Sequence, residues 1–286
     1  MGLQVCVLAS GSSGNSIYIG NDNTRILIDV GISCSGVLTR LAEIGVEPAS
    51  LHAVCITHEH DDHYRGLRVL HRRFGTPLFG NAGTVEAIQR NVNHRELPWN
   101  LFTTGHTFTI GTLEIHPFRV PHDSYDPVAF VVSEADTRIG VCTDLGIATD
   151  LVRSRLRDCD ALVLETNHDE EMLLASNRPW SLKQRIRSHK GHLSNEMAGA
   201  LLSELASERL RNVFLAHVSR DCNRLPLAMH TVRRHLARVG RSDILLHPTY
   251  PDRVSALIEC SGAVPAFVPA EMDDAAVCPQ MMLAGM

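Results

Sequence analysis

Short apolar runs of strand length recur along the chain, and helical stretches alternate with them. The strand-like runs are LQVCVLA (3–9), SIYIG (16–20), RILIDV (25–30), HAVCIT (52–57), TPLFG (76–80), FTIGTLEIHPF (108–118), PVAFVVS (127–133), RIGVCTD (138–144), ALVLET (161–166), NVFLAH (212–217) and DILLH (243–247). The spacing predicts helices over SGVLTRLAEIG (35–45), HYRGLRVLHRRFG (63–75), AGTVEAIQRN (82–91), TDLVRSRLR (149–157), SNEMAGALLSELASERL (194–210) and PLAMHTVRRHLARVG (226–240). Start and stop signals agree: Asn81, Thr149 and Ser194 stand at N-cap positions, Pro226 in a first turn, and Gly45 and Gly75 at C-termini. The first half predicts short strands with tight turns, the second a strand and helix alternation. Together they predict an α/β chain with sheets inside and helices outside. No Pro/Gly/Ser linker and no solenoid repeat interrupts it, so one domain is expected over residues 1–261. Residues 262–286 carry three prolines and no clear period, and are expected to form an extended or loosely attached C-terminal tail.

Composition narrows this picture. With 286 residues and 44% hydrophobic content, the chain has material for one large core. The net charge of −5 carries no global nucleic-acid signature. Of the 27 basic residues, all but Lys183 and Lys190 are arginine. The opening MGLQVCVLASG lacks the basic and apolar regions of a signal peptide, and no run reaches membrane-spanning length. None of the eight cysteines forms CxxC, and Cys6, Cys55 and Cys142 lie within apolar runs, as reduced buried thiols do. A cytoplasmic protein without a membrane partner is expected.

Behind the apolar run LHAVCI stands THEHDDH, residues 57–63, in which six of seven side chains titrate or bind metals. Packing so many polar groups at a core's edge is costly unless something satisfies them. Imidazoles and carboxylates in HxHxDH spacing are ligands for Zn²⁺ and similar divalent ions. His58 and His60 suit one ion, while Asp62 and His63 aim at a second. One motif does not close two sites, so more ligands are expected at strand ends. His122 in VPHD, Asp144 ending RIGVCTD and His217 ending NVFLAH supply them. Each alone reads as an ordinary satisfied polar residue; in this order they complete a set. The expected arrangement is His58, His60 and His122 on one ion, Asp62, His63 and His217 on the other, and Asp144 bridging. Histidine-rich ligation fits Zn²⁺, while two carboxylates leave Mn²⁺ and Fe open.

With these motifs the chain resembles the metallo-β-lactamase fold superfamily. LASGSSGNS (8–16), LIDVG (27–31), VPHDSYDPVAF (120–130), LETNHD (164–169), PWSLKQRI (179–186), GHLSNE (191–196) and AHVSRDCN (216–223) are similar to the YycJ/WalJ/VicX branch, from residue 3 to about residue 250. The resemblance implies a four-layer αββα sandwich, a dinuclear site at one edge of the two sheets, and nuclease activity. The chain departs from the branch at Cys222, where the first of two asparagines is expected, and in its tail.

RNase Z enzymes carry a His-Ser-Thr stretch in a place equivalent to GHLSNE. By that resemblance His192 would donate to a phosphate or leaving oxygen, with Glu165 holding its tautomer. Without it, His192 reads as a loop residue before a helix. Asp62 or a protonated His192 is expected to serve the leaving group. His168 reads equally as a site residue or a structural histidine, and His106 as a loop residue. SGSSGNS is a tight turn able to cradle an anion, and the resemblance gives Ser13 and Asn15 a substrate-facing role. The run RPWSLKQRIRSHKGH (178–192) carries Arg178, Lys183, Arg185, Arg187 and Lys190 without an acid. It suits a phosphate backbone, although such a run is also an ordinary solvated face. Trp180 would stack on a base or plug the core.

The expected function is a dinuclear metal-dependent phosphodiesterase, an exonuclease-like nuclease acting on DNA or RNA through a metal-bridging hydroxide. The alternatives are hydrolysis of another ester, thioester or lactone, and a non-catalytic regulatory binding protein on the same scaffold. The complete ligand set disfavours the last. Visible elements fill the stretch between Asp144 and His217, which leaves no place for the inserted domain of an RNase J-type enzyme.

Overall fold

The computed structural model describes residues 2–261; the expected tail, residues 262–286, lies outside the described residues. The first sheet is built from β1 (Leu3–Ala9), β2 (Ser16–Gly20), β3 (Arg25–Ile28), β4 (Ala53–Cys55), β5 (Leu78–Asn81) and β6 (Trp99–Phe102), with β14 (Ile258–Cys260) beside β1. The second contains β7 (Phe108–Ile110), β8 (Leu113–Arg119), β9 (Val128–Glu134), β10 (Thr137–Cys142), β11 (Ala161–Glu165), β12 (Asn212–Ala216) and β13 (Leu245–Pro248), neighbours in that order. Each sheet begins antiparallel and ends parallel. The parallel parts are β3 to β6 and β10 to β13.

Helices α1 (Cys34–Glu43), α2 (Asp61–Tyr64), α3 (Leu67–Phe74) and α4 (Ala82–Gln89) follow strands of the first sheet. Helices α5 (Asp150–Leu156), α6 (Glu170–Ala175), α7 (Trp180–Ile186), α8 (Asn195–Leu205) and α9 (Leu225–Arg238) follow strands of the second. The central strands β1 to β4 and β9 to β12 are largely apolar because both their faces are buried. Val5 and Val7 of β1 enter the core between the sheets, with Ile28, Phe130, Val141 and Phe214. Cys6 and Leu8 of the same strand face the other way, into a core with Val37, Leu41, Leu67 and Leu70. On the far side, Leu162, Leu164, Val213 and Leu215 pack with Leu201, Leu202, Val232 and Leu236. The layers are therefore α/β/β/α, the expected sandwich.

The caps form as expected: Asn81, Thr149 and Ser194 each accept a first-turn N–H. Two expected elements are broken. FTIGTLEIHPF is two antiparallel strands, because Gly111 turns the chain at φ 55°. HYRGLRVLHRRFG is α2 followed by α3, separated at Gly66, where a Cβ would lie 2.1 Å from the Ile32 carbonyl oxygen. Strands β6 and β14 and helices α6 and α7 add to the expected set. Among the described residues no disulfide forms and seven cysteines are buried and free. No described helix is long and apolar enough to cross a membrane.

Candidate active site

The parallel strands deliver their following residues to one edge of the sandwich, where ligands of open α/β sheets gather. Asp29 follows β3 and THEHDDH follows β4, with α2 carrying Asp62 and His63. Asp144 follows β10, Glu165 ends β11 and His217 follows β12. His122 lies between β8 and β9, and His192 just before α8. Asp29, Asp144 and His217 take the left-handed conformation, with φ of 62°, 55° and 54°. Such strain costs about 1–3 kcal/mol per residue and persists where surrounding structure over-determines it. Here it turns each side chain across the strand end.

The metal motif is tied to the turns beside it. The Asn15 N–H donates to the Asp62 carbonyl (2.8 Å), the Gly31 N–H to the Asn15 carbonyl (2.8 Å), and the Val30 N–H to the His63 carbonyl (2.8 Å). A Cβ on Gly31 would sit 1.6 Å from the Asp62 carbonyl oxygen, so LIDVG must end in glycine.

All seven expected metal ligands meet here. In each of three groups the donor atoms lie within 4.8 Å of one another: His58, His60 and His122; His58, His63 and Asp144; Asp62, His63 and His217. The outward nitrogens are fixed by acceptors. His63 Nδ1 donates to Asp29 Oδ2 (2.7 Å), His122 Nδ1 to the Gly191 carbonyl (3.2 Å), and His217 Nδ1 to Glu165 Oε1 (2.7 Å). Thr57 Oγ1 gives its proton to Asp29 Oδ2 (2.8 Å) and so accepts from His58 Nδ1 (3.0 Å). Each of these four rings therefore turns Nε2 inward, an arrangement typical of metal-bound histidine.

The donor set fits cations. His58 Nε2, His217 Nε2 and Asp144 Oδ2 are buried without a hydrogen-bond partner. An unsatisfied buried polar atom costs about 1–3 kcal/mol, and a divalent ion among these groups removes that cost for all three. Protonation follows the same logic. Burial opposes the charged form of His63, but Asp144 and Asp29 raise its pKa well above the usual histidine range. Burial likewise opposes charge on His217, and Asp144, Asp62 and Glu165 overcome it. Burial and neighbouring His63 hold His58 well below that range. The carboxylates call for positive charge, so ion uptake at neutral pH displaces protons.

His192, like His60 and Asp62, is a partly exposed member of the cluster. Its Nδ1 donates to Glu165 Oε1 (2.8 Å), which leaves Nε2 for a ligand. Glu165 is fully buried; its other oxygen accepts the backbone N–H groups of Leu145 (2.7 Å) and Leu193 (3.3 Å). Burial alone would raise the Glu165 pKa, but His192 and His217 bring it to about 2. Burial would lower that of His192, but Glu165 raises it. For Asp62 burial is overcome by His217 and His63, which keep it an ionised carboxylate. Of the two expected acids, His192 is thus the one whose surroundings favour its protonated form.

A cavity of about 210 Å³ opens onto this cluster, lined among others by Ser12, Arg178, Arg185, His192 and Ser219. The basic run divides. Arg178 pairs with Asp221 (2.9 Å) and Arg185 with Asp123, and both guanidinium side chains line the cavity. Lys190 lines a neighbouring cavity. Lys183 departs from the expectation: it is buried, and its Nζ donates to the carbonyls of Leu174 and Ser176 (both 2.6 Å), holding the end of α6. Arg187 pairs with Glu170 (2.9 Å) and is not among the lining residues. Ser12, not Ser13, lines the cavity. Asn15 is buried, accepting from the Gly11 N–H (2.9 Å) with its amide 3.1 Å from His63 Nε2, so it braces the ligand loop. His168 is buried with neither ring nitrogen hydrogen-bonded. His106 lies in an exposed turn, and Trp180 is exposed, not a core plug. Cys222 packs with Leu173 and Ile186 as an ordinary apolar residue, while Asn223 Nδ2 donates to the carbonyls of Thr166 (2.9 Å) and Asn167 (3.1 Å).

Two positioning residues carry no local signal of their role. Asp29 is one carboxylate ending an apolar strand, and Thr57 one hydroxyl beside six louder neighbours. Only the hydrogen bonds show that both orient ligand imidazoles.

Comparison with known proteins fits this geometry. The family model for the Beta-lactamase superfamily domain matches residues 24–217. The chain is 34% identical over 245 residues to exodeoxyribonuclease YycJ of Bacillus anthracis, covering 84% of this chain and 91% of that protein. It is 34% identical over 265 residues to exodeoxyribonuclease WalJ of Streptococcus pneumoniae D39, covering 91% and 98%. Among solved structures, Zn²⁺-bound PqqB of Methylobacterium extorquens shares the fold with a TM-score of 0.66 at 16% identity, covering 88% of this chain and 99% of that one.

Proposed function

The chain belongs to the metallo-β-lactamase superfamily and is a hydrolase of its YycJ/WalJ branch, and from that premise we propose that it is a two-metal phosphodiesterase cleaving nucleic acid, with an exonuclease's preference for chain ends. The observation that carries the proposal is the inward set of Nε2 and carboxylate atoms, several of them buried without partners. The named activity of the YycJ and WalJ relatives supports the substrate class. One domain over residues 1–261 would carry the activity.

His58, His60 and His122 would hold one ion, Asp62, His63 and His217 the other, with Asp144 between them. Zn²⁺ or Mn²⁺ suits these donors. When bound, such ions polarise a phosphoryl oxygen and lower the pKa of an attacking water. The chain's own residues do the rest. Arg178 and Arg185 border the cavity and orient the phosphodiester. Glu165 holds Nδ1–H of His192, so that Nε2 faces the cavity and delivers its proton to the leaving oxygen. Asp29 and Thr57 keep His63 and His58 in their ligating tautomers.

The test is a panel of end-labelled single- and double-stranded DNA and RNA, incubated metal by metal with wild type and His192→Ala. Wild type is expected to shorten at least one substrate from an end. His192→Ala should retain the metals and lose about 10²- to 10⁴-fold in rate, as for other positioned acids. A His192→Ala protein emptied of metal would make His192 a ligand. Turnover of esters or thioesters alone would overturn the nuclease reading.

A further inference from the structure

A second cavity, of about 360 Å³, adjoins the metal cluster, and His122 lines both. Its walls include Val120, Pro121, Tyr125, Pro127, Leu151 and Lys190. The volume lies in the range of small-molecule sites, and the lining is mostly apolar. Tyr125 and Leu151 are both large, apolar and solvent-exposed, an arrangement that leaves a planar ligand something to rest on.

The position of Tyr125 is built in. Its backbone N–H donates to Glu59 Oε1 (2.7 Å), and Glu59 lies between His58 and His60 in the metal motif. Helix α4 packs on the ring's edge: a Cβ on Gly83 would lie 3.0 Å from Tyr125 Cδ1. The Arg90 guanidinium stands 5.3 Å from the ring centroid. The ring is thus referenced to the ligand histidines on one side and to a helix on the other. Of the two basic residues of the wall, Arg119 is paired with Asp126 (2.8 Å), and Lys190, which directly precedes Gly191 and His192, is the one placed to meet a phosphate.

We propose that this cavity receives the nucleobase adjoining the scissile phosphate, stacked on Tyr125. The proposal rests on the nuclease reading and adds a subsite to it. A phosphate at the metal cluster carries a base one sugar away, and the neighbouring apolar cavity lies beside it across His122. Stacking on an aromatic ring tolerates any base, which suits an enzyme degrading polynucleotides without regard to sequence.

The experiment uses the metal-loaded protein and short single-stranded oligonucleotides, in DNA and RNA form. Each carries an ordinary base or an abasic residue immediately 5′ or 3′ of the cleaved bond. Wild type is expected to lose about 5- to 100-fold in kcat/KM on the abasic substrate of one side. Tyr125→Ala should cleave intact substrate at the wild-type abasic rate and ignore the missing base, whereas Tyr125→Phe should discriminate like wild type. Indifference of wild type to base loss on both sides would overturn the subsite. So would discrimination that survives Tyr125→Ala. If wild type cleaves duplex substrates but none of these oligonucleotides, the subsite falls and the nuclease reading stands; if it cleaves neither, both fall.

Discussion

Replacing Glu165 by glutamine changes one atom's chemistry and almost no volume, yet it should disable the site. The carboxylate accepts four hydrogen bonds: from His192 and His217 on Oε1, and from the Leu145 and Leu193 amides on Oε2. Glutamine offers one oxygen and one NH₂ group, so two of the four donors must face a donor. Backbone N–H groups have no other tautomer, so the oxygen stays with them and the NH₂ meets the imidazoles. Two bonds to a charged acceptor, at about 1.5–3 kcal/mol each, are lost, and stability should fall by about 3 kcal/mol or more. His217 then moves its proton to Nε2, the nitrogen that must be bare to hold a cation. Metal affinity should drop by about 10- to 100-fold, the usual effect of removing the carboxylate behind a ligating histidine. Chelator competition gives the affinity, and urea unfolding of the metal-free proteins gives the stability. A Glu165→Gln protein that binds metal like wild type and hydrolyses at the wild-type rate would refute this reasoning.

Other consequences follow from the same geometry. Arg178→Glu with Arg185→Glu should raise KM for long polynucleotides and flatten the salt dependence of KM, because phosphate contacts release counterions; Lys183→Ala should leave that slope unchanged and lower stability, since its ammonium holds only backbone carbonyls. Acid should weaken the metal-free fold through Glu165. Its pKa is about 2 when folded against 4.5 for an ordinary glutamate, so the carboxylate's contribution is present above pH 4.5 and is lost as pH falls toward 2. The urea-midpoint gap between wild type and Glu165→Gln should therefore narrow between pH 5 and pH 3, and a gap constant with pH would contradict the assignment.

The cluster was legible in the sequence because histidine and aspartate recur at the ends of apolar strands, where single polar residues are ordinary but a set of them is not. The central strands were legible because two-sided burial makes them largely apolar. What escaped has physical reasons. WNLF of β6 and IEC of β14 are short edge strands, one with three of its four residues at least partly exposed, and carry too little alternation to register. Gly66 divides a helix-like pattern where its N–H donates to the Val30 carbonyl (2.9 Å) and not along the helix, a partner from another part of the chain. Lys183 belongs by charge to the basic run 178–192, but its ammonium turns onto the carbonyls ending α6. Asp29 acts through hydrogen bonds from Thr57 and His63, 28 and 34 positions away, which no local pattern encodes.

The most direct measurement of the two-metal hydrolytic site is a titration. Metal-free protein receives Mn²⁺ or Zn²⁺ stepwise while shortening of an end-labelled oligonucleotide and bound metal per chain are followed together. The rate should rise with occupancy and level off at two ions per chain, and Asp144→Ala should stay at baseline across the whole range. Full activity without metal, saturation at one ion, or an active Asp144→Ala would contradict it.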